Sequence, residues 1–136
     1  MTKSIFSEHY SVQIDRDTDT GQVVAERWRD EDELLHRDTF PALINYSRDT
    51  GIAEYSAWYQ FGKVHRDDDL PAMVHRDPKT GNIVQEIWKL EDQTHRGGNL
   101  PARVTYDAET GAVLTQEYLW LGEKLAKPHT RQVSPT

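Results

Sequence analysis

Three histidines recur at nearly regular intervals and are the side chains of this chain best suited to metal binding or proton transfer. His36, His65 and His95 each begin a His-Arg pair, and imidazole is both a metal ligand and an acid or base near neutral pH. If each histidine belongs to a separate two-stranded unit, equivalent residues lie about 10 Å apart, because neighbouring strands lie about 4.8 Å apart. Zinc ligands lie about 2 Å from the ion. The pattern therefore predicts a repeated structural turn, with no metal and no cofactor.

The His-Arg-Asp triplets at His36 and His65 also contain the letters of a protein-kinase catalytic loop. The glycine-rich loop, the magnesium-binding Asp-Phe-Gly and the downstream Asn of kinases are missing. We expect instead that Asp accepts backbone hydrogen bonds, that Arg covers a neighbouring aromatic ring and that His packs at the entry to a strand.

Other residues could in principle do acid–base chemistry. Glu26 and Glu86 are equivalent in spacing and His75 is expected on the opposite face of a strand, but no nucleophile is paired with a base at a recognisable spacing. The acidic segments 17–19 and 67–69 lack the alternating ligands and terminal Glu of a calcium loop. We therefore predict a protein that is not an enzyme and has no catalytic residues, with a small hydrolase or metal-dependent enzyme as the third hypothesis.

A unit of thirty residues positions all of these side chains. Its marks are a Thr-Gly pair, an aromatic residue seven positions after each glycine, and a proline ten positions before three of the four glycines. The structural residues predicted from this spacing are Gly21, Gly51, Gly81 and Gly111, the aromatic residues Trp28, Trp58, Trp88 and Tyr118, and Pro41, Pro71 and Pro101. A fixed period of this length is typical of stacked supersecondary units that cannot bury their apolar faces alone.

Each unit reads as a β-hairpin. In the third unit, residues 71–76 are extended, 77–81 form a turn and 82–89 return. Asp and Pro favour tight turns, and the glycine takes a positive φ that other residues resist. Ser47 stands where the other units have Asp, and a serine makes the same local hydrogen bond more weakly.

Alternation along the first strands predicts two different faces. One face carries small or branched residues, which are Val12, Ala42, Ala72, Ala102, Ile14, Ile44, Val74 and Val104. The intervening positions are mostly polar and predict a solvent face; they are Gln13, Leu43, Met73, Arg103, Asp15, Asn45, His75 and Thr105. We expect the aromatic residues of the return strands to form a ladder against the first face.

The units together predict an all-β fold of four β-hairpin units in an antiparallel up-and-down meander of about eight strands. We expect an open twisted sheet, with a closed barrel as the alternative. The single domain covers 7–125, divided into 7–35, 36–64, 65–94 and 95–125. Residues 1–6 form a lead-in, and residues 126–136 are expected to be a flexible tail.

The segment His65-Arg66-Asp67-Asp68-Asp69-Leu70-Pro71-Ala72, followed by Thr80-Gly81 and Trp88, resembles the longer variants of MORN-type repeats. Similar segments begin at His36 and His95, and the likeness covers about residues 7–125. The first unit lacks the His-Arg-Asp triplet at its start. The resemblance implies a β-hairpin repeat fold and roles such as scaffolding, lipid association or, in bacteria, binding as an antitoxin or immunity protein. It implies no catalytic residue.

Composition narrows the classes of partner. The chain has 136 residues and no cysteine, which excludes disulfides and thiolate metal sites. Its 23 acidic residues against 16 Lys and Arg give a net charge of −7, which argues against nucleic acid or anionic membranes as direct partners. The N-terminal residues lack the apolar core of a signal peptide and no segment has the length of a membrane span, so we expect a soluble cytoplasmic protein.

The leading hypothesis is a protein-binding module of the antitoxin or immunity kind that caps a basic partner, such as a toxin or nuclease, through a face or edge of the sheet. Tyr55, Tyr59 and Trp120 depart from the pattern of the units and are candidate contacts. Acidic candidates for attracting such a partner are Asp30, Glu31, Asp32, Glu33, Asp67, Asp68 and Asp69. The alternative is an assembly module that forms homo-oligomers through its edge strands.

Overall fold

The computed structural model of the protein describes residues 4–126, which consist of strands, turns and connecting segments. The strands in chain order are β1 Ser11–Arg16, β2 Val23–Arg29, β3 Leu43–Tyr46, β4 Ala53–Ala57, β5 Tyr59–Gln60, β6 Lys63–Val64, β7 Met73–Arg76, β8 Ile83–Ile87, β9 Lys89–Leu90, β10 Gln93–Thr94, β11 Arg103–Tyr106, β12 Val113–Trp120 and β13 Glu123–Leu125. None of the described residues forms a helix, so none forms a helix that could cross a membrane. Of the predicted tail, only Ala126 lies within the described part of the chain.

Nine strands form one antiparallel sheet in the order β1-β2-β3-β4-β7-β8-β11-β12-β13. The pairs β5–β6 and β9–β10 form separate short hairpins. Because β1 and β13 lie at opposite ends of the order, the sheet is open. The predicted all-β antiparallel meander is therefore confirmed, and the barrel alternative is wrong.

The main turn of each hairpin is held by one side chain at its start. In the third unit, Asp77 Oδ1 accepts hydrogen bonds from the N–H groups of Lys79 and Thr80 at 2.8 and 3.0 Å. Gly81 closes the turn with φ of 81°, a conformation that favours glycine. Ser47 makes the equivalent bonds at 3.3 Å each, so the prediction of a weaker serine turn is confirmed.

A second, shorter hairpin follows in three of the units and was missed by the prediction of about eight strands. Phe61 and Gly62 connect β5 to β6 with φ of 49° and 85°, which is typical of a two-residue type I′ turn. Glu91 and Asp92 connect β9 to β10 in the same conformation, with φ of 44° and 72°. Strands of two residues leave little signal in a sequence, above all where the turn, like Glu91-Asp92, has no glycine.

One face of the sheet, here called the loop face, is covered by the His-Arg segments. The guanidinium groups of Arg37, Arg66 and Arg96 lie 3.6, 3.8 and 3.9 Å from the ring centres of Trp28, Trp58 and Trp88. The same arginines donate hydrogen bonds to the carbonyls of Pro41, Pro71 and Pro101. Each arginine thus fixes its own loop while it covers the ring of the preceding unit, as the sequence predicts.

Small residues on the loop face are among the most buried positions of the fold. Ala42, Ala72 and Ala102 have no exposed surface, and Val74 and Val104 are also buried. The carbonyl of Ala72 accepts a hydrogen bond from the Trp58 N–H at 2.8 Å, and Ala42 and Ala102 make the equivalent bond. A larger side chain in this column has no room without displacing a neighbouring strand.

The opposite face, here called the open face, is not the simple solvent face that the alternation predicts. Ala57 and Ile87 on this face are buried, and Leu43 and Met73 are half-buried. Met73 is paired across the sheet with both Ala57 and Ile87. The apolar residues of neighbouring strands therefore shield one another, a cross-strand effect that the first strands alone do not predict.

Candidate protein-interaction surface

Two of the predicted contact residues come together at the centre of the open face. Tyr55 on β4 is paired with His75 on β7, beside the pair of Ala57 and Met73. Tyr59 on β5 follows Ala57 by two positions, and alternation places it on the same face. We call Tyr55, Tyr59, Met73 and His75 the tyrosine patch.

The rings of Tyr55 and His75 meet edge to face, with centroids 4.6 Å apart and an angle of 77° between the planes. Burial, together with the neighbouring Tyr59, raises the pKa of Tyr55 to about 12. Burial also raises the pKa of Tyr59 and lowers the pKa of the His75 imidazole. At neutral pH the tyrosine patch is therefore an uncharged surface of aromatic rings and polar tips.

One buried polar atom in the tyrosine patch has no hydrogen-bond partner among residues 4–126. His75 Nε2 is buried and has no hydrogen-bond partner there. A buried polar atom that lacks a hydrogen bond costs about 1–3 kcal/mol, and most such atoms in proteins are paired. The buried Nε2 of His75 is therefore a locally unfavourable feature of the tyrosine patch.

Charged side chains flank the tyrosine patch on the open face. On one side, Arg27 forms an ion pair with Asp15 at 2.7 Å, and on the other Arg103 pairs with Glu117 at 2.6 Å. Lys89 has a pKa lowered by burial and by the nearby Arg103. An aromatic and apolar centre inside a charged rim is the usual anatomy of a protein interface.

The acidic loop, residues 30–33, takes the place of a short hairpin in the first unit. Asp30 Oδ1 accepts hydrogen bonds from the N–H groups of Asp32 and Leu34 at 2.9 and 3.0 Å, which directs the remaining carboxylates outward. Glu31, Asp32 and Glu33 are exposed and form no ion pair with the rest of the described chain. Their negative charge is therefore available to attract a cationic partner.

A cavity of about 240 Å³ separates the acidic loop from aromatic side chains. Its lining includes Tyr10, His36 and Phe61 together with Asp30 and Glu31. His36 stacks on Phe61 with ring centroids 4.2 Å apart and on Tyr10 at 6.2 Å. The acidic loop thus faces a stacked group of aromatic side chains across this cavity.

In the second acidic segment, Asp67-Asp68-Asp69, two of the three carboxylates contact side chains of the same molecule. Asp67 Oδ1 lies 2.7 Å from His65 Nε2, and the carboxylate of Asp69 accepts two hydrogen bonds from Arg96 at 2.9 and 3.2 Å. The expectation that the triplet aspartate accepts backbone hydrogen bonds is wrong at Asp67, because its acceptors are used by side chains. We therefore place the acidic candidates in the loop 30–33 and not in 67–69.

The His65–Asp67 pair borders a cavity of about 220 Å³. A His–Asp pair beside a cavity could orient a general base. Here Nδ1 of His65 accepts the N–H of Glu91 at 3.3 Å while Nε2 faces Asp67. Both ring nitrogens are occupied, so this geometry leaves none to take a proton from a nucleophile.

Trp120, the third predicted contact, lies apart from the tyrosine patch. It is at the end of β12, and β12 is four strands from β4 in the sheet, a distance of about 19 Å. Its ring meets His95 edge to face at 4.5 Å and is 41% exposed. The structure therefore brings Tyr55 and Tyr59 together and leaves Trp120 on a different part of the surface.

His36, His65 and His95, here called the histidine column, have a more specific structural role than the predicted packing at the entry to a strand. Nδ1 of His36, His65 and His95 accepts the backbone N–H of Phe61, Glu91 and Leu121 respectively, at 3.0, 3.3 and 3.0 Å. Acceptor and donor lie in the same unit, the histidine at its start and the donor in its short hairpin. The sequence contains one signal for these bonds, a spacing of about 26 residues between each histidine and a two-residue turn. That signal can be recognised only once the short hairpins are known.

Among residues 4–126, no three His, Asp or Glu side chains converge in an arrangement that could hold a metal ion. Comparison with known proteins gives no matching family model, no matching curated protein and no matching solved structure. The resemblance to MORN-type repeats therefore stays a prediction from sequence.

Proposed function

We propose that this protein is a non-enzymatic binding module that caps a partner protein with the tyrosine patch, in the manner of an antitoxin or immunity protein. The observation that carries the proposal is the patch itself, in which Tyr55, Tyr59 and His75 lie together on the face that the His-Arg loops leave uncovered. Tyrosine supplies a large contact area and a polar tip at a small cost in side-chain entropy.

The state of the patch favours a macromolecular partner. Tyr55 and Tyr59 are half-buried before any partner binds, so little ordering is needed on association. The flanking ion pairs at Arg27 and Arg103 would form the rim that surrounds such contacts.

Charge supports a basic partner. The net charge is −7, and Glu31, Asp32 and Glu33 of the acidic loop form no ion pair within residues 4–126. Opposite charge accelerates association and makes its rate sensitive to salt. A basic toxin or nuclease is the class of partner that this combination fits.

The test is site-specific photo-crosslinking in cells of the source organism. A photoreactive residue replaces Tyr59 in the patch or, as the matched control, Thr18 in an exposed main turn. We expect one basic protein to be captured at position 59 and not at position 18.

The captured protein then allows a quantitative measurement. Tyr55→Ala and Tyr59→Ala should each weaken binding about 30-fold or more, as for interface hot spots of about 2 kcal/mol. Tyr46→Phe, on the loop face, is the control and should bind as the wild type does. Equal capture at both positions, or full affinity in the Tyr55→Ala variant, would contradict the proposal.

A further inference from the structure

Strand β1 carries an apolar edge that its equivalents elsewhere in the sheet do not expose. Val12 and Ile14 are each 43% exposed. Ala42, Ala72 and Ala102 stand at the positions equivalent to Val12 and have no exposed surface, and Val74 and Val104, equivalent to Ile14, are 6% and 4% exposed. The difference arises because each of those residues has a strand on both sides, whereas β1 is paired only with β2 within residues 4–126.

The backbone of β1 is also suited to pairing. Asp17 donates its N–H to the Gln22 carbonyl across the main turn at 2.8 Å, and backbone groups of a strand alternate in direction. Asp15, Gln13 and Ser11 therefore point toward β2, while the N–H and C=O groups of Val12 and Ile14 point outward. The strand contains no proline or lysine, which are common protections of an edge.

We propose that two copies of this chain pair through β1 as a symmetric antiparallel dimer centred on Gln13. In this register Val12 of one copy faces Ile14 of the other, twice, and the outward backbone groups of these residues form hydrogen-bonded pairs. Gln13 faces Gln13 of the other copy on the open face. No two like charges of β1 are placed opposite one another.

The second free edge of the sheet explains why the proposed occupant is another β1. Within residues 4–126, β13 pairs only with the Tyr118–Trp120 end of β12, so Val113–Glu117 is also unpaired on one side. Pairing of β12 in one copy with β1 in another would resemble the contact between neighbouring units. At each of those contacts, however, an arginine of one unit stacks on a tryptophan of the preceding unit. Residues 4–10, which would occupy that loop position, contain no arginine.

The symmetric β1–β1 contact uses the same edge of both copies, so the assembly ends at a dimer. A β12–β1 contact would leave a free edge on each copy and would add further copies without limit. In the dimer the two nine-stranded sheets become continuous, with both open faces on one side. The assembly presents two tyrosine patches in a fixed relationship. The pairing itself does not depend on the function proposed for the patch.

A unique thiol tests both the dimer and its register, because the chain has no cysteine. In the proposed register, opposite Gln13 residues form a non-hydrogen-bonded pair with Cα atoms about 4.5 Å apart, which is within the disulfide range of about 4.4–6.8 Å. Under mild oxidation, we expect Gln13→Cys to form a covalent dimer. Gln116→Cys, on the β12 edge, is the matched control and should stay uncrosslinked.

Light scattering after size-exclusion chromatography provides an independent measurement. The wild type should show twice the chain mass, and Ile14→Lys should show the monomer mass with an unchanged circular dichroism spectrum. Gln116→Lys should remain a dimer.

Three results would overturn the inference. They are a wild type that is monomeric at all accessible concentrations, a mixed disulfide between Gln13→Cys and Gln116→Cys that shows a head-to-tail chain, and crosslinking that is efficient at Ile14→Cys but absent at Gln13→Cys. If Ile14→Lys fails to fold, the Gln13→Cys crosslinking experiment still tests the dimer, since this substitution leaves the apolar edge intact.

Discussion

His95 Nδ1 accepts a hydrogen bond from the backbone N–H of Leu121 at 3.0 Å, which fixes the imidazole in the neutral form with its proton on Nε2. The bond joins the entry of the fourth unit to the turn between β12 and β13. His36 and His65 make the equivalent bond to the second and third units. These three histidines therefore tie the short hairpins to the sheet.

Acidification should destabilise the fold through His95. Burial lowers the pKa of His95, so its contribution to stability is present above the ordinary value of about 6.5 and is lost as pH falls through the lower folded-state pKa. Burial lowers the pKa of His75 as well, which acts in the same direction. Urea unfolding at a series of pH values should show stability falling below about pH 6.5.

The variant His95→Asn separates the hydrogen bond from the charge, because its side-chain oxygen can accept the Leu121 N–H without titrating. We expect wild-type stability at pH above neutrality and a weaker dependence on acid. His95→Ala should lose about 1 kcal/mol even above neutral pH. An unchanged pH profile in His95→Asn would show that this histidine does not contribute.

The arginine–tryptophan stacks should make a measurable contribution to stability. Arg66 lies 3.8 Å from the Trp58 ring centre and donates a hydrogen bond to Pro71 O at 2.9 Å. Arg66→Ala should lower the free energy of unfolding by about 1–2 kcal/mol. The control is Arg48→Ala, since the Arg48 side chain is 71% exposed in its ion pair with Asp17 and such pairs contribute little. Additive effects of Arg66→Ala and Trp58→Leu in a double-mutant cycle would argue against the stack.

The alanine column should not tolerate enlargement. Ala72 has no exposed surface, and its backbone is bonded on both sides, to Trp58 and to Ile87. Ala72→Val should therefore destabilise the protein by about 1–3 kcal/mol in chemical denaturation. Ala112→Val, at an exposed position near the last main turn, should change stability by less than about 0.5 kcal/mol. Comparable losses in the two variants would show that packing does not set the limit.

Alkaline conditions should unfold the protein through its tyrosines. Burial first, and hydrogen bonds to Glu26 and Glu86 second, raise the pKa values of Tyr46 and Tyr106 to about 12, and that of Tyr55 is raised by burial to the same range. A raised pKa contributes stability below about pH 10 that is lost as pH rises through the folded-state value. Tyrosinate absorbance and circular dichroism recorded together should change in one transition.

The variant Glu86→Gln should shift the ionisation of Tyr106 toward its ordinary pKa, since the amide oxygen still accepts the hydrogen bond but no longer repels a tyrosinate. Tyrosine ionisation that is complete well before the loss of secondary structure would contradict the alkaline-unfolding prediction.

The sequence could predict the local geometry because short-range chemistry sets it. Asp77 and Gly81 define their turn through bonds within five residues, and alternation along β7 places Val74 opposite in direction to His75. The pairing of Arg66 with a ring was also predictable, because its place in the unit is constant. For the candidate surface, the sequence could identify only Tyr55 and Tyr59, as individual side chains that depart from the pattern of the units.

By itself, the sequence determined the thirty-residue period, the turns and the antiparallel meander, since these depend on residue types at fixed local spacings. Only the tertiary structure decided that Tyr55 meets His75 and that Asp69 is bound by Arg96 while Glu31, Asp32 and Glu33 form no ion pair within residues 4–126. It also decided that each histidine holds the short hairpin of its own unit. These relationships join residues about twenty or more positions apart, and their distances depend on the register of neighbouring strands, which local spacing does not contain.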